Sequence, residues 1–164
     1  MNCSPGYTGP LGGPCASCAL GKYKQFSGPD ICALCTAGTY SDKHASTACY
    51  DCPNNTISLQ GQENIKNCSC IAGYTGPDGN ECQQCVQGKY KDFNGSSQCP
   101  LCPAGKYSDS KGMLICNDCP AGKFGSAEGF TNQGMCPDIL SLSPLLYASL
   151  SLESVLSLPS SMTA

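Results

Sequence analysis

Sixteen cysteines stand on a near-regular grid, at positions 3, 15, 18, 32, 35, 49, 52, 68, 70, 82, 85, 99, 102, 116, 119 and 136 of a 164-residue chain. Twelve of them form six Cys-x-x-Cys pairs: 15/18, 32/35, 49/52, 82/85, 99/102 and 116/119. The intervals between pairs are mostly thirteen residues. Such density of Cys marks a cross-linked framework, and disulfides persist in oxidising compartments. Before residue 137 there are few Leu, Ile, Val or Phe, and the chain has no Trp. These residues cannot bury one large core, so cross-links must stand in for packing. A bridge closing a loop of ~14 residues contributes roughly 3 kcal/mol in the chain-entropy account.

The grid is also a repeat. One step is seventeen residues, from Cys15 to Cys32 to Cys49 and from Cys82 to Cys99 to Cys116. A longer period of 67 carries residues 3–52 onto 70–119, with about 26 identities in 50 positions. Gly6-Tyr7-Thr8-Gly9-Pro10 returns as Gly73-Tyr74-Thr75-Gly76-Pro77, and Gly21-Lys22-Tyr23-Lys24 as Gly88-Lys89-Tyr90-Lys91. The chain therefore divides into a first repeat set (1–69, Cys3 to Cys68), a second set (70–136) and a Ser/Leu-rich tail (137–164). The tail is expected to be disordered or artefactual, the end of a truncated or misread gene. Its apolar run is broken by six Ser, Pro144 and Glu153, so a membrane-spanning helix is not expected there, and Pro159 to Ala164 spoil the terminal hydrophobic block that a lipid-anchor signal needs. By analogy with Cys68-Ser69-Cys70, the grid calls for a further Cys at 138, where Asp138 stands instead.

Three residues after the first Cys of each interval stands Gly (6, 21, 38, 73, 88, 105, 122), or Asn55 after Cys52. Gly and Asn are the residues that most readily adopt a left-handed backbone, so a turn with positive φ is expected at each. Two residues further, Tyr23, Tyr40, Tyr90, Tyr107 and Phe124 supply rings expected to cover the neighbouring sulfurs. Helical periodicity is absent, and short hairpins joined by turns are the expected local structure.

With these motifs in hand, the chain resembles the cysteine-rich module of ephrin-receptor-like proteins, a group related to tumour necrosis factor receptor and EGF-like modules. Cys102-Pro103-Ala104-Gly105-Lys106-Tyr107 through Cys116 is similar to that family's Cys-Pro-x-Gly-x-Tyr loop, and Cys119-Pro120-Ala121-Gly122-Lys123-Phe124 repeats it. Cys49-Tyr50-Asp51-Cys52-Pro53-Asn54-Asn55-Thr56, then Asn67-Cys68-Ser69-Cys70 and Gly73-Tyr74, resembles the run that closes the module. Cys70 to Cys82 is similar to the last loop of an EGF module. The resemblance covers residues 3–136. It implies that each interval is closed by its own flanking cysteines: Cys3–Cys15, Cys18–Cys32, Cys35–Cys49, Cys52–Cys68, Cys70–Cys82, Cys85–Cys99, Cys102–Cys116 and Cys119–Cys136. The implied fold is small and disulfide-rich, an elongated tandem array of short β-hairpin and loop modules with little helix and minimal core. The chain contains no ephrin-binding or kinase part, so receptor signalling does not carry over.

The rival chemistry is zinc. Cys-x-x-Cys pairs can supply sites of four thiolates. That assignment orphans Cys3, Cys68, Cys70 and Cys136, whereas sequential bridging uses all sixteen. Redox catalysis of the thioredoxin kind needs one such pair at a helix start, not six in Gly/Pro-rich loops. His44 is the only His and lies in a polar stretch, which leaves no nucleophile–base pair. Asp78-Gly79-Asn80-Glu81-Cys82 resembles the start of a calcium-binding EGF module, but the rest of that pattern does not follow and calcium needs six to eight oxygens. No cofactor, metal or small-molecule substrate is expected. The net charge of −3 without a basic stripe excludes a nucleic-acid footprint. Lys22, Lys24, Lys43, Lys66, Lys89, Lys91, Lys106, Lys111 and Lys123 are spread one or two per interval and are expected to be solvated.

Asn-x-Ser/Thr sequons occur at Asn2, Asn54, Asn67 and Asn94. Two have a Cys in the middle place, and Asn94 is the best candidate for a glycan. No secretory signal precedes Cys3, so a fragment of a larger protein is expected, joined to a membrane only through a missing part of its parent. Together these observations point to a non-catalytic extracellular segment, a structural spacer or protein-interaction module with an unknown protein partner. The alternatives are a receptor-type ligand-binding module, and an intracellular zinc protein.

Overall fold

The structure, a computed structural model, describes residues 2–9 and 13–139. Its repeating unit is a loop closed by its own two cysteines. Eight bridges join Cys3–Cys15, Cys18–Cys32, Cys35–Cys49, Cys52–Cys68, Cys70–Cys82, Cys85–Cys99, Cys102–Cys116 and Cys119–Cys136. These loops are numbered 1 to 8 below. The bridged Cα atoms lie 5.6–5.9 Å apart, within ordinary disulfide geometry. No described cysteine is free.

Thirteen residues between sulfurs leave room for little more than one hairpin. The strands are two residues long and pair antiparallel: β1 (Tyr7–Thr8) with β2 (Ala16–Ser17), β3 (Lys22–Tyr23) with β4 (Ala33–Leu34), and β5 (Thr39–Tyr40) with β6 (Tyr50–Asp51). The pattern continues with β7 (Thr56–Ile57) and β8 (Ser69–Cys70), β9 (Tyr74–Thr75) and β10 (Gln83–Gln84), and β11 (Lys106–Tyr107) and β12 (Asn117–Asp118). In loop 6 the pairing shrinks to the single bridge Lys89–Leu101. Each Cys-x-x-Cys is thus a bracket. Its cysteines serve successive bridges, and its two middle residues pair back onto the preceding loop. The two longest loops take up their extra residues in single 3-10 turns, Ile65–Asn67 and Gln133–Met135, just before the closing Cys.

The expected left-handed turns are present. Gly6, Gly21, Gly38, Asn55, Gly73, Gly88, Gly105 and Gly122 all have φ between 60° and 82°. The turn presents its carbonyl and amide in opposite directions, and both are used. The carbonyl accepts from the opening Cys of the next loop, as in Cys35 N–H to Gly21 at 2.9 Å and Cys102 N–H to Gly88 at 2.8 Å. The amide donates to a carbonyl deeper in that next loop, Gly21 to Ser41 at 2.8 Å and Gly88 to Ser108 at 2.9 Å. Contact also reaches two loops on. A Cβ on Gly21 would stand 2.2 Å from the carbonyl oxygen of Gly61, and one on Gly88 would stand 2.5 Å from that of Gly129. Glycine is therefore required there twice over, by φ and by the backbone pressed against it. Hydrogen bonds to the next loop and packing on the one after make a quasi-one-dimensional array.

The core is sulfur. Among the described residues the buried apolar side chains are eleven cysteines and Phe130. The rings of Tyr23, Tyr40, Tyr90, Tyr107 and Phe124 are half-buried.

One joint departs from the pattern. In the regular joints the residue after the left-handed turn pairs with the residue before the next opening Cys, as Lys22 does with Leu34. Between loops 4 and 5 the linker is the single residue Ser69, and Thr56 pairs with Cys70 itself. The carbonyl of Asn55 then accepts from Ile71, one residue beyond the Cys, at 3.1 Å. A one-residue register slip turns alternate side chains to the other face. The last joint keeps the regular register and so corrects the expected Cys at position 138. Lys123 bridges to Asp138, and Ile139 N–H donates to the Gly122 carbonyl at 3.0 Å. That is the regular Cys-x-x-Cys register, so Ile139, not Asp138, occupies the place of a further opening Cys. Residues 137–139 thus belong structurally to the last joint. The rest of the Ser/Leu-rich tail, and what was expected of it, lies outside the described residues.

Candidate functional site

The sixth residue after the opening Cys points inward in most loops. Lys24, Ser41, Ser58, Lys91, Ser108 and Gly125 occupy this place and are all buried. Ser41 donates to Ser46 Oγ at 2.7 Å, and Ser58 to the Thr39 carbonyl at 3.1 Å. Gly125 leaves room for the Phe130 ring. Two of these positions carry a charge.

The solvated role expected for Lys24 and Lys91 is incorrect. Lys24 is 5% exposed and Lys91 is 0% exposed. The Lys24 ammonium donates to the carbonyls of Gly28 at 2.6 Å, Tyr7 at 3.0 Å and Cys3 at 3.4 Å. An ammonium has three donors, and here each finds a backbone oxygen. Lys91 donates to Tyr74 at 2.9 Å and to Gly95, with the Phe93 ring 5.4 Å from its nitrogen. A buried charge is tolerated only when its hydrogen bonds are made. Burial lowers the pKa of Lys91 from the usual lysine value, and Asp78 pulls the other way. Because the carbonyls come from two loops, each lysine fastens loop 2 to loop 1, or loop 6 to loop 5. The 67-residue period repeats Lys24 as Lys91, but it also repeats the exposed Lys22 as Lys89, so recurrence alone did not mark the buried role.

The outer surface carries exposed apolar side chains. Tyr7, Phe26, Tyr50 and Phe93 are among them. Tyr50 packs at 5.8 Å on Tyr40, with the Lys43 ammonium 5.8 Å from its ring. His44 is exposed beside it. A groove of about 500 Å³ lies at the joint between the two repeat sets, lined by Ile57, Leu59, Lys66, Asn67, Asp78 and Asn94 among others.

The sequon asparagines are all exposed. Asn54 Nδ2 reaches Glu81 at 3.4 Å, and Asn67 Nδ2 donates to Gln62. Asn94 accepts from the Ala72 amide at 2.9 Å through Oδ1. Asn2 precedes the buried Cys3. The zinc alternative needs the cysteines as thiolates, but each is held in a bridge. No group of His, Cys, Asp and Glu able to hold a metal ion occurs among the described residues. Nor does any described helix have the length and apolarity to cross a membrane.

These features define a disulfide-closed, cysteine-rich repeat array. Residues 88–136 match the family model described as tyrosine-protein kinase ephrin type A/B receptor-like. Over 78 residues, 46% of this chain, the sequence is 32% identical to cysteine repeat modular protein B of Toxoplasma gondii. The matched segment is about 1% of the length of that curated relative. Residues 88–136 of the second repeat set are thus similar to an ephrin-receptor-like module, and the 67-residue period repeats part of that cysteine spacing in the first set.

Proposed function

We infer that residues 3–139 form a non-catalytic spacer or protein-interaction segment of an extracellular protein. The observation that carries this reading is the bonding from loop to loop. The turn at Gly21 or Gly88 spends its carbonyl and amide on the next loop and packs on the loop after it. Such an array gains length with each loop added and keeps successive loops in fixed relation. The cross-linked framework suits an oxidising compartment. A receptor-type ligand-binding module is the alternative reading, which a contiguous exposed aromatic patch would favour.

Spin labels on unnatural amino acids at Ser4 and Ser126 test the spacer role. Pulsed dipolar spectroscopy on the oxidised chain is expected to give a separation well beyond the roughly 30 Å diameter of a small globular domain. A shorter distance would show that the array doubles back on itself.

A further inference from the structure

We propose that Asn94 carries an N-linked glycan whose first sugars lie in the groove between the two repeat sets, over Ile57 and Leu59. This rests on the extracellular reading. Leu59 is 77% exposed and Ile57 40% exposed, and both line the groove that Asn94 also lines. The occupant is thus attached at the rim of the apolar surface it covers. The acetamido methyl and the C–H face of a proximal N-acetylhexosamine suit the two aliphatic side chains. Lys66 and Asp78, on the same groove, offer a donor and an acceptor to sugar hydroxyls.

Geometry distinguishes this sequon from the other three. Asn67 and Asn2 are each followed by a buried Cys held in a bridge, Cys68 to Cys52 and Cys3 to Cys15. The amide nitrogens of Asn54 and Asn67 point to Glu81 and Gln62. At Asn94 the contact to Ala72 uses Oδ1, so Nδ2 can be substituted without breaking it. Ser96, which completes the sequon, is exposed. In the transfer, Nδ2 of Asn94 displaces the diphosphate from the anomeric carbon of a polyprenyl-diphosphate-linked oligosaccharide. A C–N bond forms and the C–O bond to phosphate breaks. One amide proton goes to base, and the polyprenyl diphosphate leaves. The place equivalent to Asn94 in the first set is Ser27, so the sugar marks one set alone.

The full chain, secreted from cultured mammalian cells, supplies the test. Enzymatic release of N-glycans, which converts the attachment Asn to Asp, is expected to mark Asn94. The glycan mass is expected to disappear in Asn94→Gln and equally in Ser96→Ala, a change that leaves the Asn94–Ala72 contact intact. Nuclear Overhauser contacts are expected from the first N-acetyl methyl to the Ile57 and Leu59 methyls. A chain secreted with eight bridges but without sugar on Asn94, or with a sugar that makes no contact to Ile57 and Leu59, overturns the proposal and leaves the extracellular reading standing. A chain retained with free thiols overturns both.

Discussion

The ammonium of Lys24 lies 2.6 Å from the carbonyl oxygen of Gly28, inside a structure whose apolar core is almost entirely cystine. Its other two hydrogen bonds run to Cys3 and Tyr7 in the preceding loop. Lys24→Met keeps the length of the side chain and removes all three hydrogen bonds, leaving the Cys3 and Gly28 carbonyls only their mutual backbone bonds. The change is expected to cost about 1–3 kcal/mol, the range for hydrogen bonds to a charged group. Lys22→Met, at an exposed place, is expected to stay within about 0.5 kcal/mol. Urea unfolding with the bridges intact compares the two, and equal effects would remove the inter-loop role of Lys24.

Lys91 gives a second, independent signature. Burial lowers its pKa, and Asp78 partly opposes this. A lysine whose folded pKa is depressed binds its proton less well folded than unfolded. Its burial cost is therefore complete at neutral pH and is relieved as pH rises through the window just below the usual 10.5. Relative to Lys91→Met, the native chain is expected to gain stability across that window. Side-chain NMR is expected to show Lys91 titrating below the exposed lysines, and lower still in Asp78→Asn. Titration at or above the exposed lysines would contradict the burial.

The left-handed turns separate into two kinds. Gly21→Ala would drive a methyl against the Gly61 carbonyl, and a loss above about 3 kcal/mol is expected, at the severe end for single changes. No atom lies within 4 Å of a Cβ built on Gly122, and Asn55 holds the same kind of turn with φ 60°. Gly122→Asn is therefore expected to cost no more than about 1 kcal/mol. Thermal unfolding of the two variants measures the contrast.

The two halves are expected to differ in how readily they are reduced. Cys15 is exposed, whereas its counterpart Cys82 is 2% exposed and lies against loop 4. Thiol–disulfide exchange requires access to sulfur. Limited phosphine treatment followed by alkylation and peptide mapping is expected to open Cys3–Cys15 before Cys70–Cys82. Simultaneous opening would show that accessibility does not control the order.

Much of this architecture was legible in the residues. Gly or Asn three places after each opening Cys can mean little but a left-handed turn, and short polar intervals between cysteines leave no material for helix or broad sheet. What escaped detection depended on neighbours in space. The charge of Lys24 argues for solvent until the carbonyls of Cys3 and Tyr7 are placed around it. The role of Ile139 was hidden because the chain contains two linker lengths, Cys68-Ser69-Cys70 and Cys-x-x-Cys, and only hydrogen-bond register distinguishes which one follows Cys136. Grooves such as the one beside Asn94 arise from the joining of loops distant in sequence, which spacing alone does not report.

Every cysteine in this chain finds its mate within the same short stretch of backbone. A nascent polypeptide can therefore lock each turn as it emerges, without waiting for anything downstream. Whole units can likewise be duplicated or lost during evolution with no thiol left behind, so such arrays can lengthen or shorten at little risk of mispairing.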